Sequence, residues 1–270
     1  MKFAICNEVF EGWAIDDSIQ FVAETGYDAI EIAPFTLAQY VTDVPVAERH
    51  RIRAVAADNG IGISAVHWVL IKTKGMYMTH TDPVVRRKTA DYFCELVRFC
   101  ADLGGEAIVV GSPKQRNLLP GVSFEQAWEL AKETFAPSIK LAEDKGVTIC
   151  FEPLAPAETD FVNTAAKGIE FIRQFDSDAF KIILDVKAMC SDPKPIPEII
   201  RDSHPDFAYF HANDANLKGP GFGDVDFKPI FGALKEVGYD GFVSVEVFDF
   251  EEGPETIARE SLRYMREASA

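Results

Sequence analysis

The sequence predicts an α/β protein folded as one (β/α)8 barrel over residues 1–270. A short apolar run recurs eight times, and each is followed by a loop and a segment of helical periodicity. The runs are nearly continuous in apolar residues, as expected of strands buried on both faces of a parallel sheet. Gly26, Gly60, Gly104, Gly146 and Gly238 stand where a helix C-terminus hands over to the next run. Barrels of this kind occupy such a length as one domain. An open doubly wound sheet is the alternative, but no GxGxxG turn follows the first run.

The eight strands are expected in "KFAICNE" (2–8), "YDAIEIAP" (27–34), "IGISAVHWVL" (61–70), "EAIVVGSP" (106–113), "VTICFEPL" (147–154), "KIILDVKA" (181–188), "FAYFHAND" (207–214) and "GFVSVEVF" (241–248). Between them, "DDSIQFVAETG" places Ile19, Val22 and Ala23 on one helical face, with Asp16 or Asp17 as cap. "DPVVRRKTADYFCELVRFCADLG" turns Val85, Ala90, Phe93, Val97 and Cys100 inward. "SFEQAWELAKETFAPSIKLAEDKG" opens on a cap at Ser123, and Pro137 is expected to kink or divide it. "DFKPIFGALKEVGYDG" forms the last full helix before the eighth strand, with Asp224 and Asp226 as turn and cap residues.

Hydrophobic residues make up 47% and charged residues 26% of the chain, ordinary values for a globular protein. A formal net charge of −16 argues against a nucleic-acid partner, whose phosphates need a basic face. No apolar run approaches the ~20 residues that cross a bilayer, and "MKFAICNEVF" has no signal-peptide core, so no membrane partner is expected. Five scattered cysteines, odd in number and without CxxC pairs, suit a reducing, cytoplasmic setting.

Barrels of this kind carry their reacting groups at the C-terminal ends of the strands. Those ends hold Asn7 and Glu8, Glu31, His67, Ser112, Glu152, Asp185, His211 and Glu246. On the last four strands, three carboxylates and an imidazole directly follow apolar residues. Each has an ordinary alternative: an ion pair for Glu152 or Glu246, Lys187 as partner for Asp185, a satisfied core histidine at 211. Four such placements on successive strands favour a shared cause, because a carboxylate is costly to bury without a cation. One nitrogen and three carboxylates form a hard donor set for a single divalent metal ion, Mn2+ or Mg2+, with Co2+ also suited. His67 is either a substrate contact or a packed histidine. Trp68 and Phe10 are either an apolar wall for a ligand or plain core. Lys72, Lys74, Lys114 and Arg116 lie in loops after the third and fourth strands, where they are either solvated charge, the favoured reading, or contacts for a phosphate. Lys187 stands two residues beyond Asp185 and is expected on the same strand face, toward the site.

The segments "FEPL", "LDV", "HAND" and "GYDGFVSVEVF", in this order and spacing, resemble the xylose isomerase-like TIM-barrel superfamily of sugar isomerases and epimerases, the D-tagatose 3-epimerase group among them. "AVHWVL" and "GFGDVDF" add to the likeness, which runs over nearly the whole chain. The resemblance implies one divalent metal on Glu152, Asp185, His211 and Glu246. It further implies Glu152 and Glu246 as catalytic acid and base, and Glu158 as a substrate contact. Asn213 and Asp214 would then support the ligands, with the glycines of "GPGFG" letting the loop pass nearby. The expected activity is isomerisation or epimerisation of a sugar or sugar derivative through an enediolate. Homo-oligomers are common in the superfamily, so one is implied here.

Two positions depart from the epimerases. A histidine three residues after the metal-binding aspartate is replaced by Ala188, and an arginine after the histidine ligand by Leu217, with Lys218 beside it. Lys187 stands close enough to stand in for the missing histidine. The departures leave open a metal-dependent lyase or hydrolase of 3-keto-glycosides. An endonuclease-IV-like enzyme would need more histidines than His50, His67, His80, His204 and His211. A sugar-binding protein without turnover is the non-enzymatic alternative.

Overall fold

The computed structural model describes residues 1–270. Eight parallel strands close a barrel: β1 Lys2–Cys6, β2 Ala29–Ile32, β3 Gly62–Val66, β4 Ala107–Val110, β5 Thr148–Phe151, β6 Phe180–Asp185, β7 Phe207–Ala212 and β8 Phe242–Val245. Each pairs with the next in sequence, and β8 returns to β1. The outer helices are α1 Ile15–Thr25, α2 Val46–Asp58, α3 Pro83–Leu103, α4 Phe124–Lys145, α5 Ala165–Ile172, α6 Val186–Met189, α7 Ile196–Ser203, α8 Phe227–Glu236 and α9 Pro254–Ala268. Nine helices stand where eight were expected, because the sixth connection begins with the four-residue turn α6.

Two apolar layers hold the barrel. The larger lies between strands and helices; the smaller fills the interior. Inside, Ala4, Ala29, Ala65 and Ala107 of the first four strands leave room for Tyr209 and Phe242 from the other side. This is how a barrel of eight strands becomes a packed core with its site at one end.

Helix ends follow local chemistry in most places. Gly26, Gly104 and Gly146 take left-handed C-caps, and the Ser123 and Asp226 side chains accept from Gln126 N and Lys228 N. In α1, by contrast, the cap position is Ala14, and Asp16 and Asp17 sit in the first turn. There they favour the helix through its dipole instead of capping it. In α3, Ala90, Phe93, Val97 and Cys100 are buried, whereas Val85 is half-buried. Pro137 does not divide the helix: α4 runs continuously through it. Its inward face, with Ala131, Phe135, Ser138 and Ala142 buried, outweighs the ~3 kcal/mol that an interior proline costs.

Candidate active site

β6 and β7 are paired so that Asp185 lies opposite His211, and His211 lies opposite Ser244 of β8. Glu152 and Glu246 are the first residues past β5 and β8. One donor atom from each of Glu152, Asp185, His211 and Glu246 lies within 4.8 Å of all the others, and all four residues are buried. Strand register alone therefore gathers the four groups at the C-terminal mouth.

Each is held by neighbours. Glu31, from the end of β2, stands 3.1 Å from His211 Nε2, which leaves Nδ1 facing the carboxylates. Tyr209 and Cys6 donate to the same Glu31 side chain. Asp185 Oδ1 accepts from Ala188 N and Oδ2 accepts from Asn213 Nδ2. Asn213 Oδ1 in turn accepts from Lys187 N, so one amide fixes the ends of β6 and β7 together. Asp214 plays a different part: its carboxylate accepts from Val225 N and pins the long loop after β7. A Cβ at Gly223 would collide with that carboxylate, which is why the loop passes there on glycine. Gly111 does the same for Glu152, whose carboxylate occupies the space a Cβ would take.

The donor set fits a divalent cation. His211 Nδ1 is buried and makes no hydrogen bond, although Glu246 Oε2 is only 3.1 Å away. Burial, then the charges of Glu246 and Asp185, pushes Glu152 up to about 8. Burial, then Glu246, pushes Asp185 up to about 6. Burial acts on Glu246 in the same sense, but the His211 imidazole overcomes it and holds this carboxyl well below its usual range. Crowded carboxylates beside an unpartnered imidazole nitrogen are what a bound cation would relieve. A second group, Cys6, Glu31, His67 and His211, also lies within 4.8 Å. It shares His211, and its carboxylate is already engaged by Cys6 and Tyr209.

A cavity of about 310 Å³ opens against Glu152 and Glu246 and is lined by Trp68, Ser112, Lys114, Glu158, Lys187 and Phe248, among others. Glu158 lines it, accepting from Lys187 Nζ at 2.7 Å through Oε1 while its Oε2 is buried without a partner. Lys187 also lines it, but by another route than strand alternation. β6 stops at Asp185, and α6 carries Lys187 over the Phe248 ring, 4.1 Å from its centroid.

His67 does not line the cavity. It is fully buried, with Nε2 2.9 Å from Glu8 Oε2 but out of hydrogen-bond alignment, and Nδ1 3.5 Å from Glu246 Oε1. Burial opposes its charge, yet Glu8 and Glu31 raise it to about 10. Phe10 is plain core against Trp13 and Phe21. Trp68, in contrast, is a cavity wall and donates to Glu246 Oε1 at 2.7 Å.

Arg116 corrects the reading of solvated loop charge. Its side chain is fully buried, with the guanidinium 4.9 Å from the Phe151 ring centroid and no hydrogen-bond partner. Burial lowers it to about 10 against the opposing pull of Glu152 and Glu158. A carboxylate-rich site and an aromatic face keep this cation out of water. No sequence signal separates it from the exposed Lys114 two residues earlier.

Fold and site together define a (β/α)8-barrel enzyme whose carboxylate–histidine cluster at the strand ends is suited to a divalent cation. The chain belongs to the xylose isomerase-like TIM barrel family, whose profile matches residues 19–268. It is 28% identical over 232 residues to a D-psicose 3-epimerase of Ruminiclostridium cellulolyticum, covering 85% of this chain and 77% of that protein. It is 22% identical to a 3-dehydro-D-guloside 4-epimerase of Escherichia coli, covering 98% of this chain and 99% of the other. A crystal structure of D-psicose 3-epimerase with D-tagatose from Clostridium cellulolyticum superposes with a TM-score of 0.87 at 24% identity, over 100% of this chain and 99% of that one. The protein is an enzyme of the sugar isomerase and epimerase class.

Proposed function

We propose that the protein is a 3-epimerase of a ketose or ketose derivative, with one Mn2+ or Mg2+ held by Glu152, Asp185, His211 and Glu246. The observation that carries this reading is the convergence of those four donors within 4.8 Å, with Glu152 and Glu246 lining the cavity. When bound, the cation would polarise the sugar oxygens and lower the cost of negative charge on them. Glu152 and Glu246 reach the cavity from different strands, so one removes a proton from carbon and the other returns one from the opposite side. The free Oε2 of Glu158 takes a sugar hydroxyl, and Lys187 orients Glu158 through Oε1. Trp68 and Phe248 supply the apolar face of the sugar site. His67 acts from behind Glu246 without touching the sugar.

Incubating the Mn2+-loaded enzyme with a panel of ketoses in D2O tests the reading. Deuterium should enter at C3 together with the epimer; no exchange on any ketose sinks it. A second reading, action on a keto-glycoside, is favoured by Ala188 and Leu217 at the two departing positions and by the 98% span shared with the guloside epimerase. Expulsion of the aglycone from such a substrate would make the enzyme a lyase; retention would make it an epimerase. Product analysis with 3-keto-glycosides separates these outcomes. The five cysteines are all unpaired, which supports a cytoplasmic site of action, and no helix is long and apolar enough to cross a membrane. A homo-oligomer belongs to the same proposal, and sedimentation velocity measures it.

A further inference from the structure

Trp68 has φ 51°, in the left-handed region that a bulky side chain rarely enters. No glycine or asparagine relieves the strain, so something in the site must hold the residue there. Consecutive side chains at the end of a strand normally point to opposite faces. Here His67 and Trp68 converge on one atom: Trp68 Nε1 donates to Glu246 Oε1 at 2.7 Å, and His67 Nδ1 stands 3.5 Å from the same oxygen. The other oxygen, Oε2, faces His211 Nδ1 at 3.1 Å and Asn213 Nδ2 at 3.5 Å. The two oxygens of Glu246 are thus divided between a donor pair and the ligand cluster. The indole itself is fixed between Phe35 and Phe248, with ring centroids 5.8 and 5.9 Å away and planes tilted by 22° and 28°.

We propose that Trp68 is a positioning residue for Glu246: its strained backbone turns the indole N–H onto Oε1, so that only Oε2 is presented to the cation. The proposal rests on the assignment of Glu246 as a ligand and proton-transfer group. With the N–H removed, the carboxylate is free to turn about its terminal torsion. It then loses its fixed orientation toward both cation and sugar. Supporting groups of this kind are worth about 10–100-fold in metal affinity or activity.

The test uses the full chain. W68F keeps an aromatic ring in the stack and removes the donor. Calorimetric titration of the metal-free protein with Mn2+ should show affinity weakened about 10–100-fold, with kcat for the ketose lowered comparably and KM changed much less. W68H, which retains an N–H, should recover part of both. The Trp68 indole ¹⁵N–H resonance gives a direct reading in the metal-free protein. Contacts to the Phe35 and Phe248 rings assign it among the three tryptophans. It should move in E246Q, and this measurement decides the point even if W68F fails to fold. Unchanged Mn2+ affinity in folded W68F, or a Trp68 resonance indifferent to E246Q, overturns the proposal. Weakened Mn2+ affinity in W68F alongside a wild type inert to all sugars keeps the positioning role and sinks the epimerase reading.

Discussion

Replacing Gly111 by alanine adds one methyl group, yet it should disable the enzyme. The residue follows β4 and faces Glu152 so closely that the new Cβ would overlap Oε2 and sit 2.9 Å from Cδ. Its backbone is outside the left-handed region, so alanine brings no φ penalty and the strand need not change. The carboxylate must give way. Relieving the overlap moves it by more than about 1 Å, and misplacement on that scale costs on the order of 100-fold in rate, ~2.7 kcal/mol in the barrier. Overpacking adds ~1–3 kcal/mol of destabilisation. Mn2+ titration, ketose turnover and thermal melting of G111A, run beside G232A, form the assay. Gly232 in α8 has open space where its Cβ would stand, so G232A should keep full activity and gain ~0.5–1 kcal/mol of stability. A G111A enzyme with wild-type metal affinity and turnover would refute the placement of Glu152 as ligand and acid–base group.

Glu31→Gln should weaken Mn2+ binding by about 10–100-fold, since the carboxylate that orients the His211 ring is lost; calorimetry that finds unchanged affinity contradicts this. Lys187→Met frees Glu158 from its tether, so KM for the sugar should rise while kcat changes little, as steady-state kinetics would show. The metal-free protein should lose stability as pH rises from about 4.5 to about 8. Glu152 titrates near 8 in the fold against 4.5 unfolded, so the folded state binds more protons and rising pH favours unfolding. Asp185 acts in the same sense between 3.8 and about 6. Saturating Mn2+ should flatten that slope in melts across the range, with ~2.7 kcal/mol of stabilisation at a hundredfold excess over Kd.

The barrel was legible because its signals are local: buried runs of strand length, each followed by a helical period and a glycine. The cluster of Glu152, Asp185, His211 and Glu246 was legible for a related reason. A carboxylate directly after an apolar run is headed for the interior and needs a cation there, and register then brings the four together. What failed to show depends on contacts distant in sequence. The fate of Arg116 is set by the Phe151 ring and by Glu152 and Glu158, on other parts of the chain. Lys187 was expected on a strand face, but Asp185 accepts from Ala188 N and starts a helical turn, so the predicted ligand is also the cap that ends the strand. The left-handed backbone of Trp68 leaves no trace in composition, because the usual residues for that conformation are absent.

The two departures from the epimerase pattern also have a structural account. Ala188 is buried within the turn capped by Asp185, where its backbone N–H donates to Asp185 Oδ1 and its methyl group carries no hydrogen-bonding atom. Leu217 is exposed, and its carbonyl accepts from Phe248 N and Asp249 N, which fixes the loop that carries the Phe248 wall. Lys218 does not replace the missing arginine, because its ammonium is drawn to Glu252, Glu251 and Asp249. Among the polar groups lining the cavity, which include Ser112 and Lys114, Lys187 and Glu158 form a hydrogen-bonded pair. Discrimination between a free ketose and a keto-glycoside should accordingly respond to substitutions in that pair and leave metal affinity untouched. A K187M enzyme whose preference between the two substrate types equals that of the wild type would place the discriminating contact elsewhere.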